Sequence, residues 1–343
     1  WKPKMGTTVN TAVAFKSSAY SSSALNWYQA ADPRPDYYRY LPSYYKPTAD
    51  PTTDPELYAY QEGVYNQYLD AWKNNKATRQ INWDELYRIN QLNCTQFDRN
   101  PELKGHSTYI LENRHSNFTS WMFNSYINTR LTDAMSLQGG VSFNYTDGHY
   151  FKTIRSLLGG EFWRDIDNFS ERDFPDNPTM LQNDLNNPDR RVREGDKFGY
   201  DYNIRSYIAR AWLQNEINTT HWDINYGMEM SYTNFMRHGN MRNGRAPENS
   251  YGAGKRHTFD NAALKAGATY KINGRNYITA HAAYGSRAPL PDYAYVSPRI
   301  KDTSVTGLKS ERYLSGDISY GWNYTSFRGQ ITGFWTEMYD GIQ

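Results

Sequence analysis

The strongest constraint on this chain is an alternation of apolar and polar side chains with a period of two residues. Between residues 221 and 232 the apolar side chains share one parity and the polar side chains share the other. Because successive side chains of a β-strand point to opposite faces, the pattern predicts a strand with one face for lipid and one for water. The apolar set is Trp222, Ile224, Tyr226, Met228, Met230 and Tyr232.

The same alternation predicts about nine strands, with boundaries uncertain by a few residues. They are residues 7–20, 108–131, 135–147, 200–217, 221–237, 258–272, 276–287, 312–323 and 327–339. Short turns and long connections alternate along the chain, so all short turns are expected at one end of the sheet. Outer-membrane β-barrels have this arrangement, with short periplasmic turns and long extracellular loops.

Strand length distinguishes a membrane barrel from a soluble propeller or sandwich. A strand of about sixteen residues extends about 53 Å, and a tilt of about 45° leaves about 37 Å of height. That height exceeds the lipid band of about 25 Å. The mean hydropathy is -0.88, and no apolar run reaches the length of about 18 residues that a spanning helix needs. A barrel is not excluded, because only every second strand residue meets lipid. We therefore expect a transmembrane antiparallel β-barrel with long, partly helical extracellular loops in the bacterial outer membrane.

Composition and motifs exclude several other functions. A net charge of +2 with dispersed cations argues against a nucleic-acid partner. The single cysteine, Cys94, excludes an internal disulfide. No catalytic, nucleotide-binding or redox motif is present, so we expect no enzyme activity, cofactor or metal. Asp165, Asp167 and Asn168 hint at a calcium loop, but Ser170 stands where the turn glycine belongs.

The first long connection, residues 21–107, has the clearest candidate contact surface. Asp54 and Pro55 predict a helix start, helical spacing continues to Trp72, and a second short helix is expected over residues 84–92. Prolines fix the backbone around a run of tyrosines, which suits recognition; packing against neighbouring loops is the competing interpretation. The predicted contact residues are Trp27, Tyr37, Tyr38, Tyr40, Tyr44, Tyr45 and Trp72.

A second set of candidate residues occupies the polar positions of two alternating strands. These side chains are expected to face a wet lumen, where they could contact a solute or a plug. The competing interpretation is that they only pair with neighbouring strands. The set comprises His221, Asp223, Asn225, Glu229, His281 and Arg287.

Two pairs of segments resemble a known family. SALNWYQAADPRPDYYRYLPSYY at residues 23–45 and QINWDELYRIN at residues 80–90 are similar to an extracellular loop of TonB-dependent outer-membrane receptors. The similarity is greatest to the Oar-like group with a carboxypeptidase-regulatory-like domain. GSRAPLPDYAYVSPR and LKSERYLSGDISYGW, at residues 285–299 and 308–322, resemble a later strand and loop of that family. Ser310 stands where the family has proline.

The resemblance implies a 22-stranded barrel, an N-terminal plug and nutrient import driven by TonB. Neither a plug nor a TonB box is recognisable. The strand count is odd, whereas bacterial single-chain barrels have even numbers, so Trp1 to Gln343 are expected to form one domain from the middle of a larger barrel. The partners implied are outer-membrane lipid and TonB. Two alternatives stay open: a structural barrel subunit in a complex with surface lipoproteins, and a soluble all-β glycan-binding protein. The substrate is not specified by the sequence.

Overall fold

The computed structural model of the chain describes residues 6–95 and 101–341, so Trp1 and Gln343 lie outside the described residues. Most of the described chain is antiparallel β-sheet. The strands are β1 (Thr7–Ser18), β2 (Ser21–Trp27), β3 (Tyr109–Arg130), β4 (Met135–Ser156), β5 (Trp163–Arg164), β6 (Arg191–Val192), β7 (Lys197–Asn218), β8 (Trp222–Gly239), β9 (Gly252–Ala253), β10 (His257–Lys271), β11 (Asn276–Arg287), β12 (Glu311–Asn323) and β13 (Arg328–Tyr339).

The predicted antiparallel arrangement is confirmed, and the long strands form a meander. The long strands pair in the order β1-β3-β4-β7-β8-β10-β11-β12-β13, each antiparallel to the next. β1 and β13 are the two ends of this order and are not paired with each other in the described part of the chain. Short turns close one end of the sheet, and all long connections leave from the other, which we call the upper end.

The two faces of the sheet differ in chemistry as the alternation predicts. Met228 of β8 lies opposite Leu213 of β7 and Leu264 of β10, and Leu264 lies opposite Tyr284 of β11. All four side chains are exposed, with Met228 at 48%. Rows of this kind continue across the sheet as far as Ile331 of β13, so one face is apolar. A soluble monomer rarely exposes so large an apolar surface.

Aromatic rings lie along both borders of the apolar face. Near the short turns Trp222 contacts Tyr270, with ring centroids 4.8 Å apart. Toward the upper end Tyr145 contacts Tyr207, also at 4.8 Å. From Trp222 to Tyr232 the strand advances about 33 Å, and a tilt of about 45° makes that about 23 Å of height. The apolar face therefore matches a lipid band in height, with aromatic girdles at its two edges.

The structure corrects the predicted boundaries of the first and third strands. Residues 21–27, predicted as loop, form β2, which pairs with the upper part of β3 after a break at residues 19–20. β4 continues nine residues past Asp147, to Ser156, because its upper part pairs with both β3 and β7. The strands on this side of the sheet therefore extend well above the apolar face.

The predicted helices of the first long connection are present. α1 (Pro55–Asn74) begins after Asp54, whose carboxylate accepts a hydrogen bond from the Leu57 amide, and α2 (Trp83–Thr95) is four residues longer than residues 84–92. The connection between β4 and β7 holds α3 (Asn168–Asp173) and α4 (Pro178–Leu181). Single 3₁₀ turns occur at Tyr38–Tyr40, Pro42–Tyr45, Lys76–Arg79, Pro101–Leu103 and Pro291–Tyr293.

Three buried clusters hold the upper end together. Trp163 and Val192, 2% and 1% exposed, pack with Ile110 and Ile154 of the long strands. They form a core for the β4–β7 connection, residues 157–196. In the second cluster Tyr295 packs on Phe235 of β8, and in the third Leu86 of α2 packs with Leu158.

One buried amide joins α2 to the sheet. The side chain of Asn90 is fully buried and donates to the carbonyl of Tyr109 at 2.8 Å and to that of Leu157 at 2.9 Å. Its Oδ1 accepts from the amides of Thr108 and Tyr109. Because these backbone groups lie where β3 begins and β4 has ended, Asn90 fixes α2 over the upper end.

Candidate binding cleft above the sheet

The tyrosines of the first long connection form a ladder of touching rings. Edge-to-face contacts at 4.8 to 5.5 Å run through Tyr37, Tyr38, Tyr40, Tyr44 and Tyr45. Tyr45 then stacks on Tyr68 of α1, with centroids 3.8 Å apart. Such ring pairs contribute about 0.5 to 1.5 kcal/mol beyond area burial. The structure therefore brings all five predicted tyrosines together and ties them to α1.

The two predicted tryptophans lie in different places. Trp27 ends β2, and the guanidinium of Arg34 lies 5.2 Å from its ring. Trp72 is half-buried on α1 and does not line the cleft described next.

A cleft of about 1710 Å³ lies at the upper end, between the tyrosine ladder, β2 and α3. Trp27, Tyr37 and Tyr40 line it, whereas Tyr38, Tyr44, Tyr45 and Trp72 do not. We call this space the charged cleft, because six cationic side chains and three carboxylates also line it. These are Arg34, Arg39, Arg114, Lys152, Arg172 and Arg299, with Asp32, Glu112 and Glu171.

Glu112 organises the floor of the charged cleft. Its side chain is only 1% exposed, and it accepts from Arg114 at 2.6 Å, Asn26 at 2.9 Å and Lys152 at 3.1 Å. Arg114 lies opposite Lys152 in the β3–β4 register, so all three charged groups are on the polar face. A buried carboxylate is stable only with such partners, and the network fixes the two cations in place.

The walls of the charged cleft are held by two further contacts. Arg34 binds Asp32 through two of its nitrogens, at 2.6 and 2.9 Å. Burial alone would raise the pKa of Asp32, but the hydrogen bonds from Arg34 hold it below its usual value. Opposite, Tyr28 donates to Glu171 of α3 at 2.8 Å. Burial, and then this hydrogen bond, raises the pKa of Tyr28 to about 12, so the phenol stays protonated.

The second predicted set is spread over the polar face and does not meet the charged cleft. Most of its members are paired across strands. Asp223 binds Lys271, His281 Nδ1 lies 3.0 Å from Asp317, and Arg287 binds Glu311 at 2.8 Å. Glu229 lies 3.9 Å from Arg210. Asn225 is on the same face, opposite Glu216 and Gly267.

His221 differs from the rest of that set. It precedes β8 in the turn, exposed, and its carbonyl accepts from the Lys271 amide at 2.8 Å. The predicted strand start at residue 221 is therefore one residue early.

The acidic residues considered for calcium serve other purposes. Asp165 is buried against Arg190 and accepts from Asn183 at 2.9 Å. Asp167 caps α3 through the Ser170 amide and lies 3.3 Å from Arg245. Within residues 6–95 and 101–341, no group of three or more His, Cys, Asp or Glu side chains has metal-site geometry.

Sequence reasoning missed most of the charge in the cleft. Glu112 and Arg114 stand two apart on one strand face, a spacing that could have indicated a paired site above the apolar face. Arg39 lies within the tyrosine run itself. Arg299 had no local signal, because it reaches the cleft from the β11–β12 connection.

No protein-family model matches the chain, and no curated protein matches it. Solved structures of the FrpB iron transporter from Neisseria meningitidis are similar to it. The F3-3 variant has 15% identity and a TM-score of 0.44, with 68% of this chain and 32% of that chain covered. The F5-1 variant has 16% identity and a TM-score of 0.43, with 68% and 33% covered. The chain thus spans about a third of these transporters. Separately, no helix in the described ranges is long and apolar enough to cross a membrane.

Proposed function

We propose that this chain is part of a TonB-dependent receptor that imports a scarce solute across the bacterial outer membrane. The observation that carries the proposal is the pair of unlike faces. The apolar face has the height of a lipid band and a girdle at each border, and the polar face carries paired charges such as Arg287 with Glu311. An unpaired strand edge is untenable in lipid, so the sheet belongs to a larger closed barrel, which we propose has 22 strands.

The connections support a receptor role for the same barrel. All long connections leave the upper end, and three of them, the β2–β3, β4–β7 and β11–β12 connections, line the charged cleft above the polar face. A solute bound in this cleft would stand over the lumen. The Oar-like group and TonB coupling rest on the resemblance of the first long connection to that family.

The membrane assignment is tested by placing one charge on each face of β8. Met228→Arg puts a charge at mid-height of the apolar face and should cost about 2 to 4 kcal/mol of barrel stability. Asn225→Arg, three residues away on the polar face and opposite Glu216, is the matched control and should cost far less. Thermal unfolding of the full-length protein in detergent measures both. Equal losses would contradict the assignment of the two faces.

The receptor assignment is tested on cells that carry the full-length protein. The protein should leave the outer membrane only with detergent, and protease added to intact cells should cleave within residues 37–74. Growth that depends on the protein should be lost in cells without TonB. Extraction in plain buffer would exclude the membrane barrel, and growth unaffected by loss of TonB would exclude energised import.

A further inference from the structure

The positive charge of the charged cleft is not fully neutralised by the protein. Arg34 is bound by Asp32, Arg114 and Lys152 are bound by Glu112, and Arg172 is bound by Asp173. The remaining two cations are Arg39 and Arg299. Within the described ranges, neither has a carboxylate within ion-pair distance. Low-dielectric walls strengthen the field of such charges toward a solute.

Both arginines lie against tyrosine rings. The Arg39 guanidinium is 5.5 Å from the Tyr38 ring, and its Nε donates to the Tyr38 hydroxyl at 2.9 Å. The Arg299 guanidinium is 5.0 Å from the Tyr200 ring. A guanidinium has five N–H donors in a plane, and a ring contact leaves its outer edge available. That edge matches the two oxygens of a carboxylate or the oxygens of a sulfate.

The remaining surface of the cleft is suited to flat, partly apolar units. Exposed rings of Tyr40, Trp83 and Phe169 line it, together with Trp27. Such rings offer the C–H faces of pyranose units a broad contact at little cost in rotamer entropy. The volume of about 1710 Å³ exceeds the 300 to 1,000 Å³ typical of sites for single small molecules. The occupant is therefore expected to be an oligomer.

We propose that the charged cleft binds an acidic oligosaccharide, with Arg39 and Arg299 holding its oxyanions and the exposed rings holding its sugar faces. This inference rests on the proposed receptor function and names its substrate class. An acidic peptide would supply the same charges. It fits less well, because the exposed rings that line the cleft offer the flat faces that sugar units fill.

The test measures binding of labelled oligomers to the full-length protein in detergent. Maltohexaose and sulfated maltohexaose share one sugar backbone and differ in their sulfate groups, hexagalacturonate carries carboxylates instead of sulfates, and hexaglutamate represents the peptide. We expect either charged saccharide to bind at least about ten-fold tighter than maltohexaose, with an affinity that falls as salt rises. The charged saccharide that binds more tightly identifies whether the cleft prefers sulfate or carboxylate.

Variants connect that binding to the two arginines. The pair Arg39→Gln with Arg299→Gln should weaken binding of the charged saccharide about ten-fold or more, and Arg39→Lys should retain part of it. Arg79→Gln is the matched control, because Arg79 is exposed on the same connection and does not line the cleft. Each variant is first checked for unchanged resistance of the folded barrel to heat.

Each contrary result overturns the proposed ligand. The proposal is wrong if charged and neutral maltohexaose bind equally or if hexaglutamate binds more tightly than the saccharides. It is also wrong if none of the four probes binds or if the double variant binds as the unmodified protein does. These results leave the receptor function standing where the protein still resides in the outer membrane and supports TonB-dependent growth. If the protein is not in the outer membrane or does not support TonB-dependent growth, the receptor function itself is wrong.

Discussion

Two of the long connections beside the charged cleft are built in opposite ways. The tyrosine-rich segment, residues 37–74, is held by ring contacts at the surface, and α1 has no buried residue among its twenty. The β4–β7 connection, residues 157–196, encloses a core in which Trp163 is 2% exposed. Local unfolding is easiest where few apolar contacts are buried. The cleft therefore has one firm wall and one wall that can adapt to a solute.

The largest expected effect comes from removing the core of the firm wall. Trp163→Ala should destabilise the β4–β7 connection by about 3 to 5 kcal/mol, because it leaves a cavity among buried rings. Hydrogen exchange should quicken throughout residues 157–196 and stay unchanged in α1. Trp72→Ala, which removes a half-buried side chain of α1, is the matched control and should cost less. A larger effect of Trp72→Ala would reverse the contrast between the two walls.

The next effect depends on pH. His106 stacks on Trp163 at 5.3 Å, and burial, followed by the charges of Arg164 and Arg191, lowers its pKa to about 4. An unfolded histidine binds its proton near pH 6.5. The firm wall should therefore be fully stable above about pH 6.5, lose up to about 3 kcal/mol as the pH falls toward 4, and change little below that.

Protease sensitivity of residues 157–196 between pH 7 and pH 4 measures this loss. His106→Phe keeps the ring contact without the titration, and it should flatten the pH profile. A profile that His106→Phe leaves unchanged would assign the pH dependence to other groups.

The smallest expected effect lies in the adaptable wall. Tyr45 stacks on Tyr68 with an interplanar angle of 14°, and the pair should contribute about 1 kcal/mol. A double-mutant cycle with Tyr45→Ala and Tyr68→Ala measures this coupling through hydrogen exchange in α1. A coupling above about 3 kcal/mol would make this wall as firm as the other.

Tyr37 and Tyr38 test whether the ladder recognises a solute. Replacing both with alanine should weaken binding of the charged saccharide and leave the heat resistance of the folded barrel unchanged, because only Tyr37 lines the cleft and neither is buried. Lower heat resistance with intact binding would mean that these tyrosines only pack.

The sheet is largely predictable from the sequence, whereas the packing of the connections is not. Met228 and Leu264 occupy adjacent strands of the same face, and a period of two residues is enough to place each of them. The helix start at Asp54 is equally local. β2 was missed because Ser21, Ser22 and Ser23 carry little strand propensity, and their pairing with β3 is long-range.

The charged cleft was beyond local reasoning for the same reason. Asn90 fixes α2 through carbonyls as far along the chain as Leu157, and Arg299 arrives from another connection altogether. Contacts of this kind depend on how segments far apart in sequence pack together, and the local spacing of residues does not indicate that packing. The predicted tyrosines are close to each other in sequence, so local spacing was enough to group them, and Tyr37 and Tyr40 of this group line the cleft.

The central claim is that the apolar face meets lipid and the polar face meets water. Single cysteines introduced by Met228→Cys and by Glu229→Cys, each in a Cys94→Ser background, place a fluorescent label on one face or the other of β8 in liposomes. The label at position 228 should be quenched by brominated lipid chains and shielded from aqueous iodide, and the label at position 229 should show the opposite. Quenching of the label at 229 by lipid, or of both labels by iodide, would contradict the membrane barrel.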